Sequence, residues 1–177
     1  GQGFAMAVGM AMAEAHMAAK FNREGFPVVD NHTFVLMGDG CMMEGATAEA
    51  ASLAGTQKLG KLIALYDSNR ITIEGDTATS FAENVAARYA AYGWQVISVD
   101  NGEDVDAIGV AIDAAKSEAE KPTLIIVRTN IAQGTAKQGK ASAHGEPLGE
   151  ENIAAMKAAL GWAYDKFEVP AEVYAHY

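Results

Sequence analysis

The sequence has 177 residues, a length typical of a single domain. Half of the residues are hydrophobic, which provides enough apolar side chains for a core and argues against intrinsic disorder. The 23 acidic residues outnumber the 13 basic ones, and the formal net charge of -10 argues against nucleic acid or an anionic membrane as a partner. A phosphorylated ligand stays compatible with this charge if a helix N-terminus or a metal ion neutralises it locally.

Cys41 is the only cysteine, so an intrachain disulfide is impossible and we expect a reducing compartment, the cytoplasm. The apolar stretch 1–20 has no basic start and contains Glu14 and His16, which argues against a signal peptide and a membrane span. The first residues, Gly1-Gln2-Gly3, resemble the middle of a loop. We therefore expect a piece of a longer protein, or one chain of a split one.

The apolar pattern predicts alternating helices and strands along the chain. A first helix, over 4–21, is apolar almost all round and is expected to be buried on all sides. A first strand, over 33–37, is a continuous apolar run and is expected to be buried on both faces. The remaining predicted elements are helix 44–59, strand 62–66, helix 81–92, strand 94–99, helix 105–120, strand 122–127, a polar glycine-rich loop over 133–149, and helix 151–160.

Alternating strands and helices predict an α/β fold, in which a parallel sheet carries helices on both faces. No linker or repeat divides the sequence, so residues 1–177 are expected to form a single domain. Ligands of such sheets bind beyond the carboxyl ends of the strands. The residues that follow each predicted strand are therefore the candidates for function.

Asp39 follows the first predicted strand, and Asn69 follows the second. If these strands are neighbours, both side chains meet at the same edge of the sheet, where their oxygens suit Mg²⁺ or Ca²⁺. Gly40 has no side chain, so its N–H could approach a phosphate closely. The alternative is that these residues are ordinary turn residues, because Asp and Gly are common in turns.

Two nucleotide-binding motifs are excluded. Gly1 and Gly3 have the spacing of a dinucleotide fingerprint, but Met6 stands where the third glycine belongs and no strand precedes them. A Walker loop is also absent.

His144 and Glu44 each have two interpretations. His144 lies in the predicted loop and could act as a general acid or base or donate to a phosphate. The composition of the sequence alone favours an ordinary surface histidine. Glu44 opens a predicted helix, where it complements the helix dipole or takes part in a buried carboxylate relay. A cluster of methionines is expected to fill the core or an interface, namely Met6, Met10, Met12, Met17, Met42 and Met43.

The chain resembles transketolase along essentially its whole length. The resemblance rests on a Gly-Asp-Gly followed about thirty residues later by Asn, the thiamine diphosphate signature, here Gly38-Asp39-Gly40 and Asn69. Further matching segments are Gly1-Gln2-Gly3, Met37–Gly45, Ser52-Leu53-Ala54-Gly55-Thr56, Lys58–Ile63, Tyr66-Asp67-Ser68-Asn69, His144-Gly145, Pro147-Leu148-Gly149, Leu160-Gly161-Trp162 and Phe167-Glu168-Val169-Pro170. The set favours transketolase over other thiamine enzymes.

The resemblance implies a thiamine diphosphate-binding fold and a role for each matching residue. Asp39, Asn69 and the main-chain oxygen of Ile71 would hold Mg²⁺ (or Ca²⁺), completed by two diphosphate oxygens and a water. The implied cofactor and catalytic contacts are Gly40 N–H with the diphosphate, Ile73 and Ile131 with the thiamine rings, His144 with the diphosphate and the reacting sugar, and Glu44 in a carboxylate network across a subunit interface. The helix from Glu44 would pack across the dimer.

The sequence departs from the family in two places and lacks two parts of it. Arg70 stands where the family often has glycine. A more apolar stretch that contains glycine is replaced by Asn130-Ile131-Ala132-Gln133-Gly134, and the Ser-Pro that usually follows it appears as Thr135-Ala136. The family's upstream part supplies substrate-binding histidines. Its downstream domain, acting from the partner subunit, supplies the glutamate that activates the aminopyrimidine.

The resemblance therefore implies transfer of a two-carbon ketol unit between sugar phosphates, with a partner chain or domain for the pyrimidine side. A homodimer or larger assembly is expected, because a separated domain exposes apolar surface. Two alternatives stay open. One is a truncated, non-catalytic module for cofactor binding or dimerisation, and the other is a simplified enzyme that becomes active by self-assembly.

Overall fold

The computed structural model describes residues 1–177. Its strands, in chain order, are β1 (Thr33–Gly38), β2 (Leu62–Ser68), β3 (Ile71–Thr72), β4 (Gly75–Asp76), β5 (Gln95–Val99) and β6 (Thr123–Arg128). Its helices are α1 (Gln2–Phe21), α2 (Asp39–Met42), α3 (Gly45–Thr56), α4 (Val85–Ala91), α5 (Val105–Lys116), α6 (Ser142–Gly145), α7 (Glu150–Ala159) and α8 (Ala171–His176). A short 3₁₀ helix covers Thr77–Thr79.

Four strands form one parallel sheet in the order β1-β2-β6-β5, and β3 and β4 form a separate hairpin. The register of β1 on β2 pairs Thr33 with Leu62 at one end and Gly38 with Asp67 at the other. The predicted α/β class is confirmed. Because β1 and β2 are parallel neighbours, the residues that follow them lie at the same edge of the sheet.

Two apolar clusters cover the two faces of the sheet. Alternate residues of β2, Leu62 and Ala64, face a layer that includes α1, α3 and α4. The intervening residue, Ile63, faces α5. This alternation follows from the period of two along a strand, and it places helices on both faces as predicted.

The first helix is buried on one side only, which corrects the prediction of burial all round. Its buried residues are Phe4, Ala7, Val8, Ala11 and Glu14. Of the methionines expected in the core or at an interface, only Met42 is in the core, whereas Met6, Met10, Met12, Met17 and Met43 are exposed, and a place at an interface stays a prediction for them. An apolar sequence does not itself supply a second layer to cover the helix.

None of the helices combines the length and the apolar content needed to cross a membrane.

Glu14 is the one charged residue on the buried side of α1. Its Oε1 lies 2.7 Å from Lys61 Nζ, which is also 2.7 Å from Asp30 Oδ1. Burial opposes the charge on Lys61, but its hydrogen bonds to Asp30 and Glu14 outweigh burial and raise the pKa of Lys61. The network joins α1 to the start of β2, at the end of the sheet away from Asp39.

The strand β1 is buried on one face, which corrects the prediction of burial on both. Phe34 is 47% exposed and Leu36 is 80% exposed. The reason is topological: β1 is an edge strand, and α5 packs on β5, β6 and β2. The uncovered face of β1 continues into an apolar groove of about 470 Å³ that is lined by Leu36, Leu65, Ile108 and Val127, among others.

Several predicted boundaries shift, and each shift has a local cause. The helix predicted over 44–59 begins at Gly45, and a separate one-turn helix, α2, precedes it. The helix predicted over 81–92 begins at Val85, because the Asn84 side chain caps it by accepting from Ala87 N. The loop predicted over 133–149 contains α6, and the hairpin β3-β4 and helix α8 were not predicted. These short elements carry too few residues for a periodic signal.

Candidate active site

A cleft of about 750 Å³ opens beyond the carboxyl ends of β1, β2 and β6. Its walls come from the turn after β1, the turn after β2, the segment after β6, and α6. The lining residues are Gly38, Asp39, Gly40, Cys41, Glu44, Asp67, Asn69, Ile71, Thr129, Asn130, Ile131, Ala132 and His144. Most of the residues predicted from sequence as functional therefore lie around one cavity.

Asp39 forms the inner wall of the cleft and is only 4% exposed. Its Oδ1 accepts a 2.6 Å hydrogen bond from the Tyr66 hydroxyl. Its Oδ2 accepts from the main-chain N–H groups of Asn69, at 3.2 Å, and Arg70, at 2.9 Å. All three donors are neutral and no Lys or Arg pairs with this carboxylate, so Asp39 is a buried negative charge without a cation. Buried charges in proteins are usually paired as well as hydrogen-bonded, and a bound cation would supply the missing partner.

Tyr66 was not identified from the sequence as a functional residue. It lies near the end of β2, and its ring is part of the core. Burial and then the hydrogen bond to Asp39 raise the pKa of Tyr66 above its ordinary range, so the hydroxyl keeps its proton and donates it to the carboxylate. The available signal in the sequence was a tyrosine in a predicted buried strand, next to the strand that precedes Asp39. The direction of its side chain depends on the register of β2 on β1, which the sequence does not show.

The turn after β2 wraps around the Asp39 carboxylate. Asn69 Oδ1 accepts a 2.9 Å hydrogen bond from Ile71 N, which closes the turn on itself. Asn69 and Ile71 both line the cleft beside Asp39. Asp39, Asn69 and Ile71 carry a carboxylate, a side-chain amide and a main-chain carbonyl, which are the kinds of hard oxygen donor that Mg²⁺ takes from proteins. No group of three or more His, Cys, Asp or Glu side chains forms an alternative metal cluster.

The fold itself does not require glycine at Gly38 or Gly40. Neither has a positive φ, and a Cβ built on either would meet no atom of the chain within 4 Å. Both glycines line the cleft. The missing side chains therefore leave space in the cleft rather than solving a packing problem, which is what close approach of a ligand to the main chain needs.

His144 and Glu44 lie on the same cleft. His144 belongs to α6, not to an open loop, and it is exposed. Glu44 is the residue before α3, with an extended backbone, and its side chain does not cap that helix. Its Oε2 lies 2.8 Å from the main-chain nitrogen of Gly1.

The charges around the cleft are mostly negative. Three carboxylates, of Asp39, Glu44 and Asp67, line it, and no Lys or Arg does. A bare diphosphate would be repelled by these groups, whereas a divalent cation would be attracted. Thr129, directly after β6, donates a hydrogen bond to Asp67 in β2, which links the ends of these two neighbouring strands.

Ile131 lines the cleft, but Ile73 does not. Ile73 lies at the turn of the β3-β4 hairpin and is 66% exposed. Contact of Ile73 with a thiamine ring remains a prediction.

Each of the two departures from the family sequence contains a non-glycine residue with a positive φ. Arg70 has φ 64° and Ala132 has φ 54°. L-residues with a side chain rarely adopt this left-handed region, which favours glycine. Arg70 therefore has a backbone conformation that favours glycine, the residue that the resemblance implies at this position.

The family model described as the thiamine diphosphate binding domain of transketolase matches residues 1–177. Among curated proteins, the chain is 58% identical to a transketolase of Streptococcus pyogenes over 98% of the chain and 24% of that protein. It is 52% identical to transketolase 1 of Saccharomyces cerevisiae over 100% of the chain and 26% of that protein. The chain thus spans about a quarter of the length of these relatives.

Solved structures show the same similarity. The transketolase from Leishmania mexicana superimposes with a TM-score of 0.96 at 49% identity, over 99% of this chain and 26% of that one. A transketolase from Pichia stipitis in complex with sedoheptulose-7-phosphate gives a TM-score of 0.95 at 45% identity, over 99% of this chain and 26% of that one. Because the family model spans every residue, the chain belongs to the transketolase thiamine diphosphate-binding domain family.

Proposed function

We propose that this chain carries the Mg²⁺–thiamine diphosphate site of a transketolase, which transfers a two-carbon ketol unit between sugar phosphates. The observation that carries the proposal is the buried Asp39 carboxylate, without a cation of its own, beside two glycines that leave space in the cleft. A divalent cation satisfies the carboxylate, and the glycines let a diphosphate reach that cation.

Different residues of the chain bind the cation and the diphosphate. Asp39, Asn69 and the main-chain oxygen of Ile71 hold the cation, and Gly40 N–H donates to the diphosphate. Mg²⁺ suits this set because it usually takes one or two carboxylates and completes its shell with phosphate oxygens and water. Ca²⁺ is the alternative cation.

The remaining residues orient the organic part of the cofactor and the substrate. Ile131 lies in the cleft wall and packs on the thiamine rings, with Ile73 from the hairpin. His144 donates to the diphosphate and to the reacting sugar. Glu44 joins a carboxylate network at a subunit interface. Thiamine diphosphate, once bound, supplies the stabilised carbanion that the carbon–carbon chemistry needs.

The chain needs partners for turnover. It spans about a quarter of the relatives' length, and we infer that its 177 residues are one incomplete diphosphate-binding domain. The pyrimidine side of the cofactor must come from a further domain or a separate chain. Sugar phosphates are proposed as substrates because the similar Pichia stipitis transketolase forms a complex with one, sedoheptulose-7-phosphate.

We also propose a homodimer or a larger assembly. The exposed methionines of α1, the exposed Met43 before α3 and the exposed Leu53 within α3 are apolar surface on one helical layer. This surface also favours a second candidate function, a non-catalytic dimerisation module. Turnover by the purified chain alone would instead indicate a simplified enzyme made active by self-assembly.

Calorimetric titration of the purified chain with thiamine diphosphate tests the cofactor proposal. We expect binding in Mg²⁺, loss of binding with a chelator, and loss in Asp39→Ala even with Mg²⁺. Asp67→Asn is the matched control, since it removes a cleft carboxylate that is outside the proposed metal set. Equal binding by Asp39→Ala and the parent would refute the site assignment.

A further inference from the structure

The one-turn helix α2 carries Asp39 and Gly40 and is too short to be stable by itself. A helix needs several turns before its hydrogen bonds outweigh the cost of forming the first one. Within α2, the carbonyl of Gly40 accepts a 3.2 Å hydrogen bond from the N–H of Met43, which closes the turn. The orientation of Gly40 in the cleft wall therefore depends on contacts that α2 receives from elsewhere in the chain.

Arg88 of α4 supplies such a contact. Its Nη2 donates a 3.0 Å hydrogen bond to the main-chain oxygen of Met42, one of the carbonyls that a helix leaves without an internal partner at its C-terminal end. The same peptide unit carries the N–H of Met43, so Arg88 fixes the plane that holds the Gly40 carbonyl. A hydrogen bond from a guanidinium is also stronger than one between neutral groups.

Arg88 is itself held in place. Its Nε donates to Glu83 Oε1, and only 18% of its side chain is exposed. The helix that carries it begins at the Asn84 cap. The next residue, Tyr89, is fully buried and packs edge-on against Trp94, with ring centroids 5.1 Å apart. The helix α4 therefore forms a rigid support for α2.

From this arrangement we propose that Arg88 is a positioning residue, which holds α2 in the orientation that presents the N–H of Gly40 to the diphosphate. Arg88 does not line the cleft, so it acts through Met42 and not on the cofactor. An arginine inside the cleft would compete with a metal ion for Asp39, whereas Arg88 leaves that carboxylate free. The inference deepens the proposed function and rests on it for the identity of the ligand.

Arg88→Met tests the proposal, because it removes the guanidinium and keeps an unbranched side chain. In the protein without cofactor, NMR hydrogen exchange of the Met43 N–H should be about tenfold faster than in the parent, since a charge-assisted bond to α2 is lost. Exchange of the amides of β2 should change much less. The calorimetric affinity for thiamine diphosphate in Mg²⁺ should fall about tenfold, as is usual when a group that orients a binding site is removed.

Arg23→Met is the matched control. Arg23 also donates to main-chain carbonyls at a helix end, those of Lys20 and Asn22, but it lies at the end of α1 and outside the cleft lining. This variant should keep the parent's Met43 exchange and cofactor affinity. If Arg88→Met accelerated exchange of Met43 and of the β2 amides equally, Arg88 would only stabilise the fold and the inference would be overturned. Unchanged Met43 exchange or unchanged cofactor affinity would overturn it as well.

Arg88→Lys covers the case in which Arg88→Met folds poorly. It keeps the charge but has one nitrogen where the guanidinium uses two, for Glu83 and Met42, so it should show both effects. The parent's values in Arg88→Lys would mean that a positive charge suffices, which would overturn the inference. Absence of any Mg²⁺-dependent cofactor binding by the parent would overturn the proposed function and the cofactor part of the inference. The exchange of Met43 would still decide whether Arg88 holds α2.

Discussion

The main-chain N–H of Arg70 donates a 2.9 Å hydrogen bond to Asp39 Oδ2 from a residue whose φ is 64°. A left-handed backbone costs an L-residue roughly 1–2 kcal/mol. The turn that encloses Asp39, the candidate metal ligand, therefore contains backbone strain at Arg70, whose side chain is exposed.

Arg70→Gly should relieve this strain. Glycine adopts a positive φ freely but loses about 0.4–1 kcal/mol through the greater freedom of the unfolded chain, so we expect a net gain of about 1 kcal/mol in the free energy of unfolding. Urea unfolding measures it. Arg70→Ala is the control, since it removes the same side chain and keeps the strained backbone. A gain as large in Arg70→Ala would show that the side chain, not φ, is responsible.

Gly40→Ala should lower the affinity for the cofactor without lowering the stability of the fold. The added Cβ meets no atom of the chain within 4 Å, and Gly40 lies in α2, so the free energy of unfolding should stay equal or rise by up to about 1 kcal/mol. Cofactor affinity should fall at least tenfold, because the methyl group occupies the space of the diphosphate.

Gly9→Ala provides the comparison for that change. Gly9 lies in α1, away from the cleft, and a Cβ there is also free of contacts. It should gain about 1 kcal/mol in stability and bind the cofactor as the parent does. If Gly40→Ala bound thiamine diphosphate with the parent's affinity, Gly40 would not contact the diphosphate.

Tyr89 should make the fold sensitive to alkali. Burial raises the pKa of Tyr89 above its ordinary value near 10, so the folded state favours the protonated hydroxyl. Its contribution is fully present below about pH 10 and is lost as the pH rises towards the raised pKa, by up to about 1.4 kcal/mol per pH unit.

Tyr89→Phe should therefore lose less stability than the parent between pH 10 and 11.5. Near pH 7 it should differ from the parent by less than about 1 kcal/mol, because the hydroxyl makes only a weak contact with a sulfur atom. Urea unfolding across this pH range measures both. Tyr174→Phe, at a residue that is 71% exposed, should keep the parent's pH dependence. If the free energy of unfolding fell with pH equally in the parent and in Tyr89→Phe, Tyr89 would not be the source of the sensitivity to alkali.

Met10→Lys should weaken self-association. Met6, Met10 and Met17 recur at helical spacing and form one exposed stripe on α1. A charge at Met10, which is 61% exposed, would have to be buried in any dimer that uses the stripe. We expect the mass from light scattering at micromolar concentration to fall towards that of the monomer.

Met12→Lys is the control, because Met12 lies off the stripe. It should keep the parent's mass. A monodisperse monomer for the parent itself would refute the dimer proposal.

The sequence by itself determined the class of the fold and the family. Each long element has its own periodic signal, and the alternation of apolar strands with helices implies a parallel sheet. Gly38-Asp39-Gly40 and Asn69 also identify the candidate ligands, because these residue types at strand ends suit a cation and a phosphate.

Only the tertiary structure decided how these residues meet and what is covered. The order β1-β2-β6-β5 makes β1 an edge strand, which leaves Leu36 exposed, and the register sends the Tyr66 hydroxyl to Asp39. The apolar residues of α1 carry no information about whether a second layer covers them. Strand order, register and coverage are contacts between residues distant in sequence, and local periodicity does not record them.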